Sequence, residues 1–405
     1  MALIIENPAR IVTPRPGDQR GAGLGGLDVF TGMSVLCRDG LIERIGALDE
    51  LLAEASGAKR YDASGQTLIP GLVDSHSHPV FAGDRADEFA MRTAGAGYEE
   101  IAASGGGIAR TVAATQQASK DKLKELARKR LDRAMAHGVT TLEAKTGYGL
   151  TPESELKMLE VIRELDAEHP IDLVPTFLGA HAVPKGVAKN DYLAAMRELL
   201  PEAARTARFC DVFCEQGYFT PVESVSLLEA ARDCGMLPKM HADQFHSIGC
   251  IEAAVELGAV SVDHLEAMRP EDAVKLAGTD VVGLALPGVS LFLDIPYAPV
   301  RQLIDAGCAV AVATDFNPGS NMTMNLPLMM SLLCMKTGVS TDEALIMATR
   351  GGAHALRMSD RGRIAEGLRA DMAVLDADKY EELVYFYGER HVSAVIKGGT
   401  VHELR

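Results

Sequence analysis

The sequence predicts an α/β fold: a parallel (β/α)8 barrel of the TIM type, with a second, small composite β-sandwich domain built from both chain ends. Three observations predict it. Eight short apolar runs alternate with amphipathic stretches between residues 67 and 315. Both chain ends carry short apolar runs broken by turns instead. Polar residues, His above all, close most of the eight runs, which is where such a barrel places its chemistry.

Taken in order, residues 2–5, 33–37 and 41–45 are short apolar runs, and the Gly-rich stretch 21–26 is a loop. Antiparallel strands are expected here, with residues 1–65 forming the first part of the sandwich. The barrel runs are residues 67–73, 140–143, 173–177, 211–215, 237–241, 261–265, 281–286 and 309–315. Helical periodicity falls between most of them, at 123–136, 152–168, 191–207, 221–234, 251–257 and 300–306. A doubly wound sheet would also accommodate eight strands, but no G-x-G-x-x-G follows an early strand. The barrel is therefore assigned to residues 66–360. Residues 372–375 and 392–396, with a turn at Lys397, Gly398 and Gly399, complete the sandwich within 361–405.

Composition bounds the function. With 47% hydrophobic and 24% charged residues, the chain is globular rather than disordered or fibrous. A net charge of −16 argues against nucleic acid or an anionic membrane as partner, so a small molecule is expected. The longest apolar stretches, such as 281–286 and 309–313, fall far short of the roughly 18 residues of a membrane span. Glu6, Pro8 and Arg10 interrupt the N-terminal stretch too early for a signal peptide. Seven Cys in no framework spacing point to a reducing cytoplasm, and Cys210 and Cys214 read as small core residues.

The barrel runs end at His76 and His78, Glu143, His181, Glu215, His241, His264 and Asp315, so five of the 11 His lie there. His76 and His78 are two residues apart, and in an extended chain both imidazoles face one side. His241 ends the fifth run, across the barrel mouth from the first. Asp315 ends the eighth, which neighbours the first in a closed barrel. Three imidazoles and one carboxylate suit Zn2+ or Fe better than Mg2+ or Ca2+, and the donor types do not choose between zinc and iron.

This order of ligands, with His264 at the sixth run, resembles the amidohydrolase superfamily in its mononuclear branch. Segments 362–370 and 371–375 resemble the composite β-sandwich of that superfamily. Further motifs sharpen the likeness across nearly the whole chain. They are His78-Pro79-Val80-Phe81-Ala82-Gly83-Asp84-Arg85, Tyr98-Glu99-Glu100-Ile101, Gly105-Gly106-Gly107, Glu143-Ala144-Lys145-Thr146-Gly147-Tyr148-Gly149-Leu150, Gly179-Ala180-His181, His241-Ala242-Asp243-Gln244, Asp263-His264, and Thr314-Asp315-Phe316-Asn317-Pro318-Gly319-Ser320. Together they resemble the imidazolonepropionase family. That resemblance implies one Zn2+ or Fe ion per subunit on His76, His78, His241 and Asp315. It implies substrate contacts at Arg85, Tyr148, His181, Gln244, Asn317, Gly319 and Ser320, and a homodimer. The implied reaction is hydrolysis of the ring amide of 4-imidazolone-5-propanoate to N-formimino-L-glutamate, in histidine degradation.

The residue types suit that chemistry. A ring amide is a poor electrophile, and a divalent metal makes water acidic enough to attack it near neutral pH. Asp315 is expected to ligate the metal and to move the water proton to the leaving nitrogen. His264 is expected to stabilise the oxyanion, unless it is a hydrogen-bonded core residue. The fork of Arg85 suits the carboxylate tail, although Arg85 also has Asp84 and Asp87 as nearby partners. Tyr148, between Gly147 and Gly149, is expected to present its hydroxyl to the tail or the ring, and His181 to donate to the ring carbonyl. Asn317, Gly319 and Ser320 are expected to offer amide and hydroxyl donors to the product. Tyr98 and residues 105–107 read as a lid-like loop or a plain turn. Some family members carry Glu where this chain has Gln244, and an amide orients a ring without transferring a proton. A modified Lys on the fourth strand, as used to bridge two metals, is absent from 211–215, and Lys145 lies past the second run. One metal is therefore expected. The rival readings are a related deaminase or cyclic-amide hydrolase acting on another heterocycle, and a non-catalytic scaffold. A scaffold would not be expected to keep all four ligands.

Overall fold

The computed structural model describes residues 2–17, 20–95 and 106–404. Eight parallel strands follow one another in chain order: Leu72–Asp74, Val139–Lys145, Asp172–Ala180, Phe209–Cys214, Met240–Ala242, Ser261–His264, Val282–Ala285 and Ala309–Val312. The first and eighth meet just past their ends, where Ser77 bridges Phe316 and the Asp315 N–H donates to the His76 carbonyl at 2.9 Å. Asp74 ties the same two strands together, accepting from Thr314 N at 3.0 Å and Thr314 Oγ1 at 2.6 Å. The (β/α)8 barrel is thus present, with its strands buried on both faces and reading as apolar runs for that reason.

The run at 67–73 is not one strand. Thr67–Pro70 lies in a different sheet, between Arg10–Pro14 and Met372–Leu375, and only Leu72–Asp74 enters the barrel. Gly71 makes the transfer possible, because a Cβ there would lie 2.2 Å from Thr140 Oγ1. The run at 237–241 also divides, into Leu237–Pro238 and Met240–Ala242.

The chain ends build two sheets. One joins Leu41–Gly46, Ser34–Arg38, Ala2–Glu6 and Lys59–Asp62. The other joins Thr400–Glu403, Val392–Lys397, Met372–Leu375, Thr67–Pro70, Arg10–Pro14 and Leu27–Phe30, so it contains strands from both ends. Leu3, Ile11, Val35, Leu68, Val374 and Ile396 share one core between them. The expected antiparallel pairing holds for most neighbours. It fails for Ala2–Glu6 with Lys59–Asp62 and for Arg10–Pro14 with Thr67–Pro70, which are parallel. Parallel neighbours need a long crossover, and the helix Leu48–Glu54 lies within the first of these connections.

Around the barrel run Lys120–Ala136, Pro152–Glu168, Lys189–Ala203, Pro221–Asp233, Cys250–Leu257 and Val300–Asp305, close to the six expected stretches. The side chains of Ser119, Thr151 and Thr220 cap three of them. Pro287–Leu293 and Leu326–Thr337 are further helices, apolar nearly all round and therefore without a periodic stripe. Among the described residues, no helix is long and apolar enough to cross a membrane. Tyr98 and Gly105, named above for a lid-like loop, lie outside the described residues.

Candidate metal centre

Four of the predicted residues converge at the C-terminal end of the barrel. Asp315 Oδ1 lies 3.3 Å from His76 Nε2 and 3.4 Å from His78 Nε2. The His76 and His241 rings are 4.6 Å apart, and the donor atoms of His76, His78 and His241 lie within 4.8 Å of one another. His264 joins them, with Nε2 4.0 Å from Asp315 Oδ2. All are buried. His76 Nε2 and Asp315 Oδ1 are buried atoms without a hydrogen-bond partner. A shared cation accounts for both, so this N/O donor set fits a metal ion. Backbone strain gathers at the same place: Asp243, His264, Leu265 and Asp315 all have positive φ, at 54°, 92°, 73° and 46°.

A second layer of charge lies beneath. His76 Nδ1 is 2.6 Å from Asp263 Oδ2, and His241 Nδ1 is 2.9 Å from Asp211 Oδ2. A carboxylate accepts, so Nδ1 of His76 carries a proton; burial disfavours a second one, but Asp263 and Asp315 outweigh it and raise the His76 pKa to about 9, so a bound cation would take the place of the proton on Nε2. Asp211 favours the same tautomer at His241. Two buried ammoniums balance these acids. Lys145 Nζ sits 2.7 Å from Asp211, 3.1 Å from Glu143 and 3.5 Å from Asp263. Lys239 Nζ sits 2.6 Å from Glu143 and 3.7 Å from Asp263. Burial alone would raise the Asp263 carboxyl, but Lys239, Lys145 and His76 together hold it well below the usual carboxylate range. His76, Glu143 and Asp263 also offer closely spaced donor atoms. That group is already neutralised by the two lysines, which argues against a cation there. The sequence reading noted Lys145 and Glu143 without this role, and missed Asp211, Lys239 and the contact of Asp263 with His76.

The substrate-facing residues surround this centre. Tyr148 packs edge-on against His78 and His181, at ring separations of 5.8 and 5.2 Å. Burial, the main influence, keeps its hydroxyl protonated by raising its pKa. Glu155 shapes the Tyr148 turn by accepting from Gly147 N, Gly149 N and Leu150 N. Arg85 Nε donates to Thr111 Oγ1 at 3.1 Å, and a Cβ on Gly319 would meet Arg85 Nη1 at 2.7 Å. No ion pair joins Arg85 to Asp84 or Asp87 among the described residues; Asp87 pairs with Arg110 instead. Arg130 braces the segment leading to Arg85, donating to Pro79 O and Phe81 O at 2.7 and 2.8 Å. Gln244 is buried on a loop clamped by Glu215, which accepts from Phe245 N at 2.9 Å and His246 N at 3.3 Å.

Two expected roles change. His181 Nδ1 lies 2.9 Å from the Gly147 carbonyl, which can only accept, so Nδ1 carries the proton. Burial, helped by His78, pushes the His181 pKa down to about 3, so the ring is neutral. Its Nε2 is then an acceptor, not the donor expected for a ring carbonyl. The second change concerns the 317–320 turn. Gly319 N and Ser320 N both donate to Asn317 Oδ1 at 2.8 Å, and Asn317 Nδ2 donates to Asp315 O and Ser320 Oγ. These donors are engaged within the turn and hold Asp315, rather than being offered to a product.

Comparison with known proteins adds to this geometry. The amidohydrolase family matches residues 67–401. An imidazolonepropionase of Geobacillus sp. (strain WCH70) is 44% identical over 385 residues, covering 93% of this chain and 91% of its own. One of Rubrobacter xylanophilus is 43% identical over 406 residues, covering 98% and 97%. A crystal structure of an adenosine deaminase from Xanthomonas campestris with bound zinc is similar in fold. Its TM-score is 0.72 at 16% identity, over 99% of this chain and 93% of that one.

Proposed function

The chain belongs to the amidohydrolase family and, within it, to the imidazolonepropionases, and from that premise we propose how its residues divide the work. It hydrolyses the ring amide of 4-imidazolone-5-propanoate to N-formimino-L-glutamate. The observation that carries the reading is the convergence of His76, His78, His241 and Asp315 beside Arg85 and Tyr148 at one end of the barrel. The four ligands hold a single Zn2+ or Fe ion. When bound, that ion supplies Lewis acidity and a water that ionises near neutral pH.

The protein's own groups do the rest. Asp315 accepts the proton of the attacking water as its oxygen bonds to the ring carbonyl carbon, then returns it to the ring nitrogen as the C–N bond breaks. A proton on His264 Nε2 stabilises the carbonyl oxygen as it becomes anionic. Asp263 and Asp211 hold His76 and His241 with Nε2 turned to the centre. The Arg85 fork binds the propanoate, steered by Thr111 and the bare Cα of Gly319, and Tyr148 donates to the same tail. His181 Nε2 accepts a ring N–H, and Gln244 orients the ring. Asn317, Gly319 and Ser320, bonded to one another within their turn, keep Asp315 in its left-handed conformation.

The test is an ultraviolet assay on freshly made imidazolone propanoate, with metal analysis of the same sample. Ring opening with about one equivalent of metal per chain supports the reading. No turnover by a metal-replete sample contradicts it. A deaminase of another heterocycle, the rival reading, has no use for Arg85 beside Tyr148. The same reading takes residues 1–65 and 361–405 as the sandwich and 66–360 as the barrel, with the first boundary moved past Thr67–Pro70, which pairs within the sandwich sheet, and it takes the assembly as a cytoplasmic homodimer. Sedimentation tests the last point.

A further inference from the structure

The helix Lys120–Ala136 buries Leu123, Ala127, Arg130 and Ala134 along one stripe at helical spacing. Three of these are apolar, as a stripe packed on the barrel requires. Arg130 is a cation, yet it is only 8% exposed. Burial, with Arg133 adding to it, lowers its pKa to about 10, which leaves it charged at neutral pH. No acid pairs with it among the described residues; its fork spends its donors on the backbone instead. A buried charge held this way keeps its place because of what it holds.

Arg130 holds the segment between His78 and Arg85. Its Nη1 donates to Pro79 O and Phe81 O, and its guanidinium lies 3.6 Å from the centre of the Phe81 ring. Phe81 is fully buried and passes the contact on. It stacks on Phe316, the neighbour of Asp315, at 5.9 Å and 30°, and it packs against Tyr148 at 5.8 Å. The chain that leaves Phe81 is pinned twice more before it reaches the fork. Ala82 N donates to Thr115 Oγ1 at 3.1 Å, and Arg85 Nε donates to Thr111 Oγ1 at 3.1 Å. Arg130 thus stands behind the two groups assigned to the substrate tail, Arg85 along the chain and Tyr148 through the Phe81 ring. A flexible ammonium could not span both carbonyls and lie flat on the ring at once.

We propose that Arg130 is a positioning residue for recognition of the carboxylate tail, setting where Arg85 and Tyr148 converge and so the preference for ligands that carry the propanoate. The proposal rests on the function given above. Arg130 touches no substrate and acts through Phe81 and the 79–85 segment. Small displacements there matter, because a fork binds a carboxylate only when both N–H groups reach it.

The experiment is calorimetric titration of the full-length, metal-loaded protein with two stable probes that share a ring, imidazole-4-propanoate and 4-methylimidazole. The parent should prefer the first. Arg130→Met should weaken the propanoate probe roughly tenfold or more and leave the methyl probe unchanged. Arg130→Lys, which keeps the charge without the fork, should lie between parent and Met variant. Phe81→Leu, which keeps Arg130 and removes the ring it lies on, should also narrow the preference, and it answers the question if the Met variant does not fold. Equal weakening of both probes would make Arg130 a purely structural residue and overturn the proposal. So would an unchanged preference in the variants, or a parent with no preference for the tail. Ring opening by the parent tests the proposed reaction separately: a parent that prefers the propanoate probe but opens no ring would contradict that reaction and leave the role of Arg130 standing.

Discussion

Replacing Asp263 by Asn removes the charge opposite His76 while leaving the volume in place. The carboxylate accepts from His76 Nδ1 at 2.6 Å and from Ser261 Oγ at 2.5 Å, and is fully buried. The cluster holds Glu143, Asp211 and Asp263 against Lys145 and Lys239, a net −1. Asp263→Asn leaves two acids against two ammoniums, so no charge is stranded and the fold should lose little. What it loses is the charge-assisted bond that fixes the His76 tautomer. Partners of this kind are worth about 10- to 100-fold in metal affinity, or roughly 1.4–2.7 kcal/mol. Lys145→Met does the reverse: three acids then face one ammonium, and breaking a buried pair from one side costs about 3–5 kcal/mol of stability. Competition with a chromophoric chelator reads the affinity, and urea unfolding of the metal-free chain reads the stability. A metal affinity within about twofold of the parent for Asp263→Asn, or a Lys145→Met chain as stable as the parent, would refute this account of the buried layer.

Other outcomes follow from the same geometry. Arg85→Ala should cost about 100-fold in kcat/KM on the propanoate substrate, the worth of a charge-assisted pair, and nothing on an imidazolone without the tail. Gly319→Ala places a Cβ 2.7 Å from Arg85 Nη1, so KM should rise more than kcat falls, with little change in unfolding. Asp315→Asn should lower kcat about 10²- to 10⁴-fold and also weaken metal retention, read by metal content after gel filtration. Gln244→Glu should not raise turnover, and a strong rise would show that Asp315 is not the only proton carrier.

The H-x-H pair, His241, His264 and Asp315 were legible because strand ends and a two-residue period leave a mark in the sequence. The barrel was legible because strands buried on both faces are uninterrupted apolar runs. The same signal hid the break at Gly71, since one apolar run serves two sheets in succession. Leu326–Thr337 was hidden because a helix buried on most sides has no polar face to set its period. Lys145 and Lys239 were unreadable as partners, because a lysine in a strand usually marks the solvent side and only closure of the barrel turns these two inward. Glu155 and Arg130 act on backbone groups, and such contacts leave no pattern in side-chain order. The tautomer of His181 depends on a carbonyl 34 residues away in the chain.

The measurement that bears most directly on the central claim is anomalous diffraction at the zinc and iron edges from crystals of active protein. The expected result is a single peak bonded to His76 Nε2, His78 Nε2, His241 Nε2 and Asp315 at about 2.0–2.2 Å. A peak among Glu143, Asp263 and the two lysines, or no peak in protein that still opens the ring, would contradict it.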